Sequence, residues 1–195
     1  MKPDRLNALT DGVVAIVLTI MVLELRFPAE PTPAAVLAVL PLLAAYLLAF
    51  VNVAIYWNNH HHMMQSARKV TGAVLWANHA LLFCLTLFPL TIRWIDDAGI
   101  TPWPVASFGI VLVLAAISYD LLERALIRAE GDESGVKRAL GGRSKELIST
   151  VLYVAAIPAA FVSPYISVVI YVGVSIMWII PDRRFERQLI EKHKP

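Results

Sequence analysis

The residues best suited to chemistry lie in the first 25. Thr10, Asp11 and Thr19 are embedded in an apolar run that begins near Arg5 and ends at Glu24 and Leu25. An ionised aspartate deep in a bilayer costs about 2.5–3.5 kcal/mol on insertion scales, so it faces protein or water and has a partner. The plainer reading of Asp11 is a cap near one membrane interface. A second cluster, Asn58-Asn59-His60-His61-His62-Met63-Met64, raises the question of a metal site. Consecutive histidines on a helix point about 100° apart, whereas a helical zinc site uses i, i+4 spacing with a carboxylate nearby. No acid lies in that stretch, so no metal ligands are assigned, and one or two of the histidines are expected in a polar network with Asp11. Tyr119, Asp120 and Glu123 suggest a proton relay, but a surface position paired with Arg124 or Lys137 suits them better. No nucleophile and base meet at membrane depth, so an enzyme is not expected. No cofactor is expected either, and nothing supports nucleic-acid binding.

These residues need a membrane scaffold to hold them. The chain is 58% hydrophobic, only 16% charged and has a mean hydropathy of +0.65. Soluble domains are nearer one quarter charged. Residues 34–57 and 70–92 each carry at most one formal charge, and 104–119 and 147–180 are nearly as clean. Apolar stretches of about 18 residues or more cross a hydrocarbon core about 30 Å thick. Soluble helices alternate polar and apolar faces, whereas these are apolar nearly all round. The single cysteine, Cys84, excludes a disulfide framework and a thiolate cluster. The first apolar run has no small-residue cleavage site after it and is expected to remain as a span.

Proline and glycine divide the chain into six expected transmembrane helices in a single domain over 1–195: about 5–25, 34–58, 70–94, 104–127, 146–162 and 165–181. Phe27-Pro28 and Pro31-Thr32-Pro33 separate the first two. Asp96, Asp97, Gly99 and Pro102 mark a later turn, and Ser163-Pro164 breaks the last apolar block. One long kinked helix there, giving five spans, is the alternative. Charge placement arbitrates. With six spans and both termini cytoplasmic, only Arg26 and Arg93 of the 17 Lys and Arg residues fall outside, a strong positive-inside bias. A five-span chain would put the basic tail, Arg183 to Lys194, outside. The protein is therefore expected as a multi-pass protein of the plasma membrane, with the lipid bilayer as a partner.

At about 100° per residue, Gly12, Ile16, Thr19, Ile20 and Leu23 share one stripe of the first helix, less than a third of its circumference wide. Asp11 points away from it. Copies of this stripe around an axis would make hydrophobic rings from Ile16 and Leu23 with a hydroxyl ring from Thr19 between them, and such constrictions gate by dewetting. By periodicity alone, a lipid-facing or ordinary packing stripe is the commoner reading.

The spelling of this helix also carries a resemblance. Arg5, Leu9-Thr10-Asp11-Gly12, Ala15-Ile16, Thr19 and Leu23-Glu24 resemble the signature of prokaryotic relatives of the endosomal and lysosomal potassium channel, the transmembrane protein 175 family. Trp57, His60, His61, Asn78 and Pro89 are similar to that family's spans two and three. Leu9 and Thr10 depart from its Phe and Ser. The resemblance implies an all-α homotetramer of six-helix subunits with a central pore lined by the first helix, passing monovalent cations and preferring K+. Ile16 matches the narrow constriction, with Ile20 and Leu23 further along the pore, and Thr19 matches a selectivity position. Arg5, Thr10 and Asp11 match a polar network reaching Trp57 and a histidine, His60 or His61. The family pore has no carbonyl-lined filter, and no Thr-Val-Gly-Tyr-Gly loop occurs here. The alternative function is a cation- or proton-coupled secondary transporter using Asp11 and the histidines; internal repeats or broken midplane helices would mark it.

Overall fold

Proline and threonine set where the helices begin. The structure, a computed structural model, describes residues 3–26, 28–29, 32–131, 134–136 and 144–179. The basic tail and the Gly141-Gly142-Arg143 stretch of the polar segment lie outside them. Helix α1 spans Pro3–Leu23. Helix α2, Pro33–Ser66, is capped by Thr32, whose hydroxyl accepts from the Ala35 amide at 3.2 Å. Pro33 sits in its first turn, where no intrahelical N–H is needed. Its 34 residues make a rod of about 50 Å, longer than the hydrocarbon core. His60, His61 and His62 therefore continue the helix past the span end expected at residue 58. Neither Pro nor Gly occurs between 58 and 66 to stop it.

The third apolar stretch is not one helix over 70–94 but two, α3 (Gly72–Thr86) and α4 (Phe88–Ala98). Pro89 has no N–H to give the Leu85 carbonyl, and its ring crowds that carbonyl. The chain tightens there: the Leu87 amide bonds Cys84 O at 3.1 Å, and Thr91 N to Leu87 O at 3.3 Å restarts the ladder. Gly99 ends α4 at a φ of 72°, a conformation that suits glycine. Helix α5 runs Pro102–Glu130, α6 Ser144–Ala159 and α7 Pro164–Ile179, with a turn over 160–163 between the last two.

Among the described residues, four helical segments are long and apolar enough to cross a membrane: Pro3–Leu23, Pro33–Ser66, Gly72–Ala98 (α3 with α4) and Pro102–Glu130. Helix α7 is apolar but shorter. Helix α5 is the hub, packing on α3, α4, α6 and α7, while α1 packs on α2, α3 and α4. Phe88, Phe108 and Tyr171 form an aromatic column with centroid spacings of 5.5 and 5.6 Å. Tyr171 donates to Val105 O at 3.2 Å, and a Cβ at Gly109 would collide with its hydroxyl. Glycine thus lets α7 approach α5. Leu37, Leu90, Val162 and Val169 stand exposed, an apolar surface that belongs against lipid or another subunit. Trp76, Trp94 and Trp103 are exposed too, whereas Trp178 is half-buried and donates to Ser149 Oγ at 2.8 Å.

Candidate functional site on the first helix

Helix α1 has two faces of different fate. Leu6, Thr10, Val14, Val17 and Met21 are buried against its neighbours, the i, i+4, i+7 or i+8 recurrence of a packed helical stripe. The opposite side stays open: Ile16 is 59% exposed, Ile20 41% and Leu23 78%, with Gly12 and Thr19 beside them. The Thr19 hydroxyl donates back to its own helix, 2.8 Å from Ile16 O and 3.0 Å from Ala15 O. With its proton so engaged, the oxygen turns lone pairs outward.

The polar ties divide into two branches because Thr10 and Asp11 point about 100° apart. Asp11 leads to α2, where Trp57 Nε1 donates to its Oδ1 at 2.7 Å. Trp57 stacks on His61 with centroids 5.8 Å apart, and Gln65 donates its amide to His61 Nε2 at 2.8 Å. Thr10 leads inward to α3. Asn78 donates to Thr10 Oγ1 at 3.2 Å and accepts from His60 Nε2 at 2.8 Å. Thr10, His60 and Asn78 are all buried. The structure therefore brings His60 to Thr10 through Asn78 and His61 to Asp11 through Trp57. Arg5 is exposed and makes no hydrogen bond or ion pair among the described residues.

Asn78 holds the inner branch together, and sequence reasoning passed over its role. The signal was an amide inside an apolar span, where an unpaired polar group is costly. A second tie closes the far end of α1. Arg93 of α4 donates to Glu24 at 3.2 Å and to Asp97 at 3.0 Å, and Arg26 reaches Asp97 at 3.4 Å. One reading needs correction. Asp120 does pair with Arg124, at 2.7 Å, but Tyr119 and Glu123 are buried rather than surface residues. They project one turn apart from the inward side of α5, while Asp120 and Arg124 occupy its rim. Lys137 lies outside the described residues. Among the described residues, no group of three or more His, Cys, Asp or Glu side chains could hold a metal ion.

Stacked apolar helices long enough to cross a bilayer, outward aliphatic side chains and polar ties buried within those helices define a multi-pass helical membrane protein. Comparison with known proteins takes this further. The family model of the endosomal/lysosomal potassium channel TMEM175 matches residues 5–89, which cover α1 from Arg5 and all of α2 and α3. A potassium channel of Chryseobacterium sp. (strain P1-3) is 46% identical over 191 residues, covering 98% of this chain and 100% of the relative. A potassium channel of Chamaesiphon minutus is 26% identical over 182 residues, 86% of this chain and 88% of that one. The crystal structure of a lysosomal potassium-selective channel TMEM175 homolog from Chamaesiphon minutus matches with a TM-score of 0.80 at 22% identity. It covers 91% of this chain and 96% of that chain, and shows the shared fold.

The chain belongs to the TMEM175 potassium channel family. The family is one of channels, not enzymes, and it favours ion conduction over the coupled-transporter alternative.

Proposed function

We propose that four copies of the chain form a potassium-preferring cation channel of the plasma membrane, with six crossings per subunit, both termini cytoplasmic and a central path lined by α1. The observation that carries this reading is the open face of α1. Ile16, Thr19, Ile20 and Leu23 share a side that its own subunit leaves largely uncovered, in a chain of a potassium channel family. One stripe cannot enclose a path, so several subunits are required; the number four comes from the family resemblance.

In this arrangement Ile16 forms the narrowest ring, with Ile20 and Leu23 continuing the apolar wall. A narrow aliphatic ring sheds water when closed and gates by dewetting. An ion crossing the open ring gives up part of its hydration shell. Potassium holds that shell less tightly than sodium and passes more readily. Thr19 oxygens, their protons already donated to α1 carbonyls, offer partial negative charge one turn beyond. Without a rigid ring of carbonyl ligands, the preference is modest. Asp11, held by Trp57, fixes the helix rather than touching the ion. Potassium is the cargo, and the channel needs no cofactor.

Planar-bilayer recording of the purified protein tests the reading. Discrete current steps are expected, and Ile16→Ala should enlarge them. Slow saturable exchange in place of steps would overturn the channel, and unchanged current in Ile16→Ala would overturn the constriction.

A further inference from the structure

Away from α1, four helices enclose a cavity of about 450 Å³. It opens between α2, α5, α6 and α7, at the end of the bundle where α5 finishes and α6 begins. Its volume lies within the range of small-molecule sites. Each of the four helices contributes an aromatic wall: Tyr56, Tyr119, Tyr153 and Trp178. The first two rings lie 6.0 Å apart and tilted.

Much of the polar lining is already engaged within the protein. Tyr56 donates to Leu112 O at 3.4 Å, and Asn52 donates to Leu48 O and Ser175 Oγ at 2.8 and 3.0 Å. Ser149 accepts from Trp178 and donates to Lys145 O at 2.7 Å. At the rim, Arg124 is held by Asp120 at 2.7 Å. Glu146 differs. It lines the cavity from the first turn of α6, and its Oε2 is buried with no hydrogen-bond partner among the described residues.

A buried carboxylate oxygen without a donor, set beside aromatic walls, selects a particular chemistry. An ammonium group supplies both the missing N–H and the opposite charge, and charge-assisted bonds are the stronger class. Aromatic faces attract the same cation, and the apolar wall covers a hydrocarbon or aryl body. An anion would meet Glu146 as a like charge. We propose that this cavity is a binding site for a small organic cation with a hydrophobic body, an amphiphilic primary amine. The head lies on Glu146 and the body lies between Tyr56, Tyr119 and Tyr153. The site contains no residue of α1, so it is separate from the proposed ion path and does not depend on it.

The test uses the full-length protein in lipid nanodiscs, with 4-phenylbutylamine as the probe and 4-phenylbutanol as its uncharged match. Equilibrium dialysis against empty nanodiscs corrects for partition into lipid. Saturable amine binding at one site per subunit is expected, with the alcohol weaker. Glu146→Gln should weaken the amine about tenfold or more and leave the alcohol unchanged. Ala116→Phe, which fills the cavity from α5, should abolish both, and folding of each variant is checked by elution profile. Absence of saturable binding overturns the proposal. Equal affinity for amine and alcohol would mean an apolar pocket for lipid chains and overturns it too. Amine binding that survives Ala116→Phe would place the site elsewhere, in the ion path for instance, with the same consequence.

Discussion

Asn78→Leu is the most informative change in the polar ties of α1. Leucine keeps the volume but removes two hydrogen bonds, the donation to Thr10 at 3.2 Å and the acceptance from His60 at 2.8 Å. Thr10 has a substitute partner, because a helical hydroxyl can donate to a carbonyl one turn back, as Thr19 does. His60 has none for its Nε2 proton and is 2% exposed. A stranded buried donor costs about 1–3 kcal/mol, while hydrogen bonds between membrane helices average about 0.6 kcal/mol when measured by double-mutant cycles. A loss of about 2 kcal/mol follows, because stranding exceeds simple bond loss. At about 2–4 °C per kcal/mol, the unfolding midpoint falls by about 4–8 °C. Trp57→Phe removes only the donation to exposed Asp11, which water or headgroups can replace, and should cost clearly less. The decisive variant pairs Asn78→Leu with His60→Phe. Removing the orphaned donor should recover part of the stability, because both partners are then apolar. The assay is a thermal ramp read by size-exclusion chromatography of the detergent-solubilised protein. A larger loss in Trp57→Phe than in Asn78→Leu, or no recovery in the pair, would refute the assignment of Asn78 as the buried hub.

Thr19→Val keeps the shape and deletes the oxygen; the potassium-over-sodium preference should fall, as a reversal-potential shift under mixed ions, while the elution profile stays that of the wild type. Gly109→Val places a side chain against Tyr171 and Ile157, and overpacking of this kind costs about 1–3 kcal/mol. The same thermal ramp reads the loss, and adding Tyr171→Phe should return part of it by removing the obstructing hydroxyl. Arg93→Gln breaks exposed pairs to Glu24 and Asp97, so its destabilisation should be small, visible at low salt and absent at high salt. A loss independent of salt would show that Arg93 acts through packing.

Which features the sequence disclosed follows from what kind of physics placed them. Helix starts at Pro33, Pro102 and Pro164 were readable because a missing N–H acts locally, through the chain's own backbone. The break at Leu87 carries the same local signal, Pro89, and escaped because the hydropathy around it does not change. Largely apolar sequence runs unbroken from residue 70 to 92, so the stretch reads as one span of ordinary length despite Pro89. The stripe on α1 was visible as a periodicity, but periodicity cannot say whether a face is packed. That required the positions of α2, α3 and α4, which cover Val14 and Val17 and leave Ile16 open. Asn78 was passed over and Glu123 was placed at the surface for one reason: composition places a polar residue along a helix, while its partners depend on which neighbour its face meets.

The placement of the ties on α1 follows from the open stripe. Between helices in lipid, association rests on van der Waals packing and hydrogen bonds rather than on leaving water, and α1 is only 28% buried over its apolar window against 56% for α5. With less packing to place it, directional bonds carry more of its position. These lie near its middle, at Thr10 and Asp11, and just past its C-terminal end, at Glu24. Thr10 and Asp11 are held by Asn78 and Trp57, and Glu24 is held by Arg93. Glu24 lies 13 positions beyond Asp11, about 20 Å along the helix, and between them lie Ile16, Thr19, Ile20 and Leu23. The outer anchor also rests on α4, joined to α3 at the Leu87 interruption rather than through a continuous helix. If the proposed path runs along the free stripe, a shift of α4 about that junction carries the Glu24 end of α1 with it while Asn78, on α3, keeps the middle of α1 in place. Gating changes should then follow from substitutions at Pro89 and Arg93, neither of which lies on the stripe, and ion preference from substitutions at Thr19, which does.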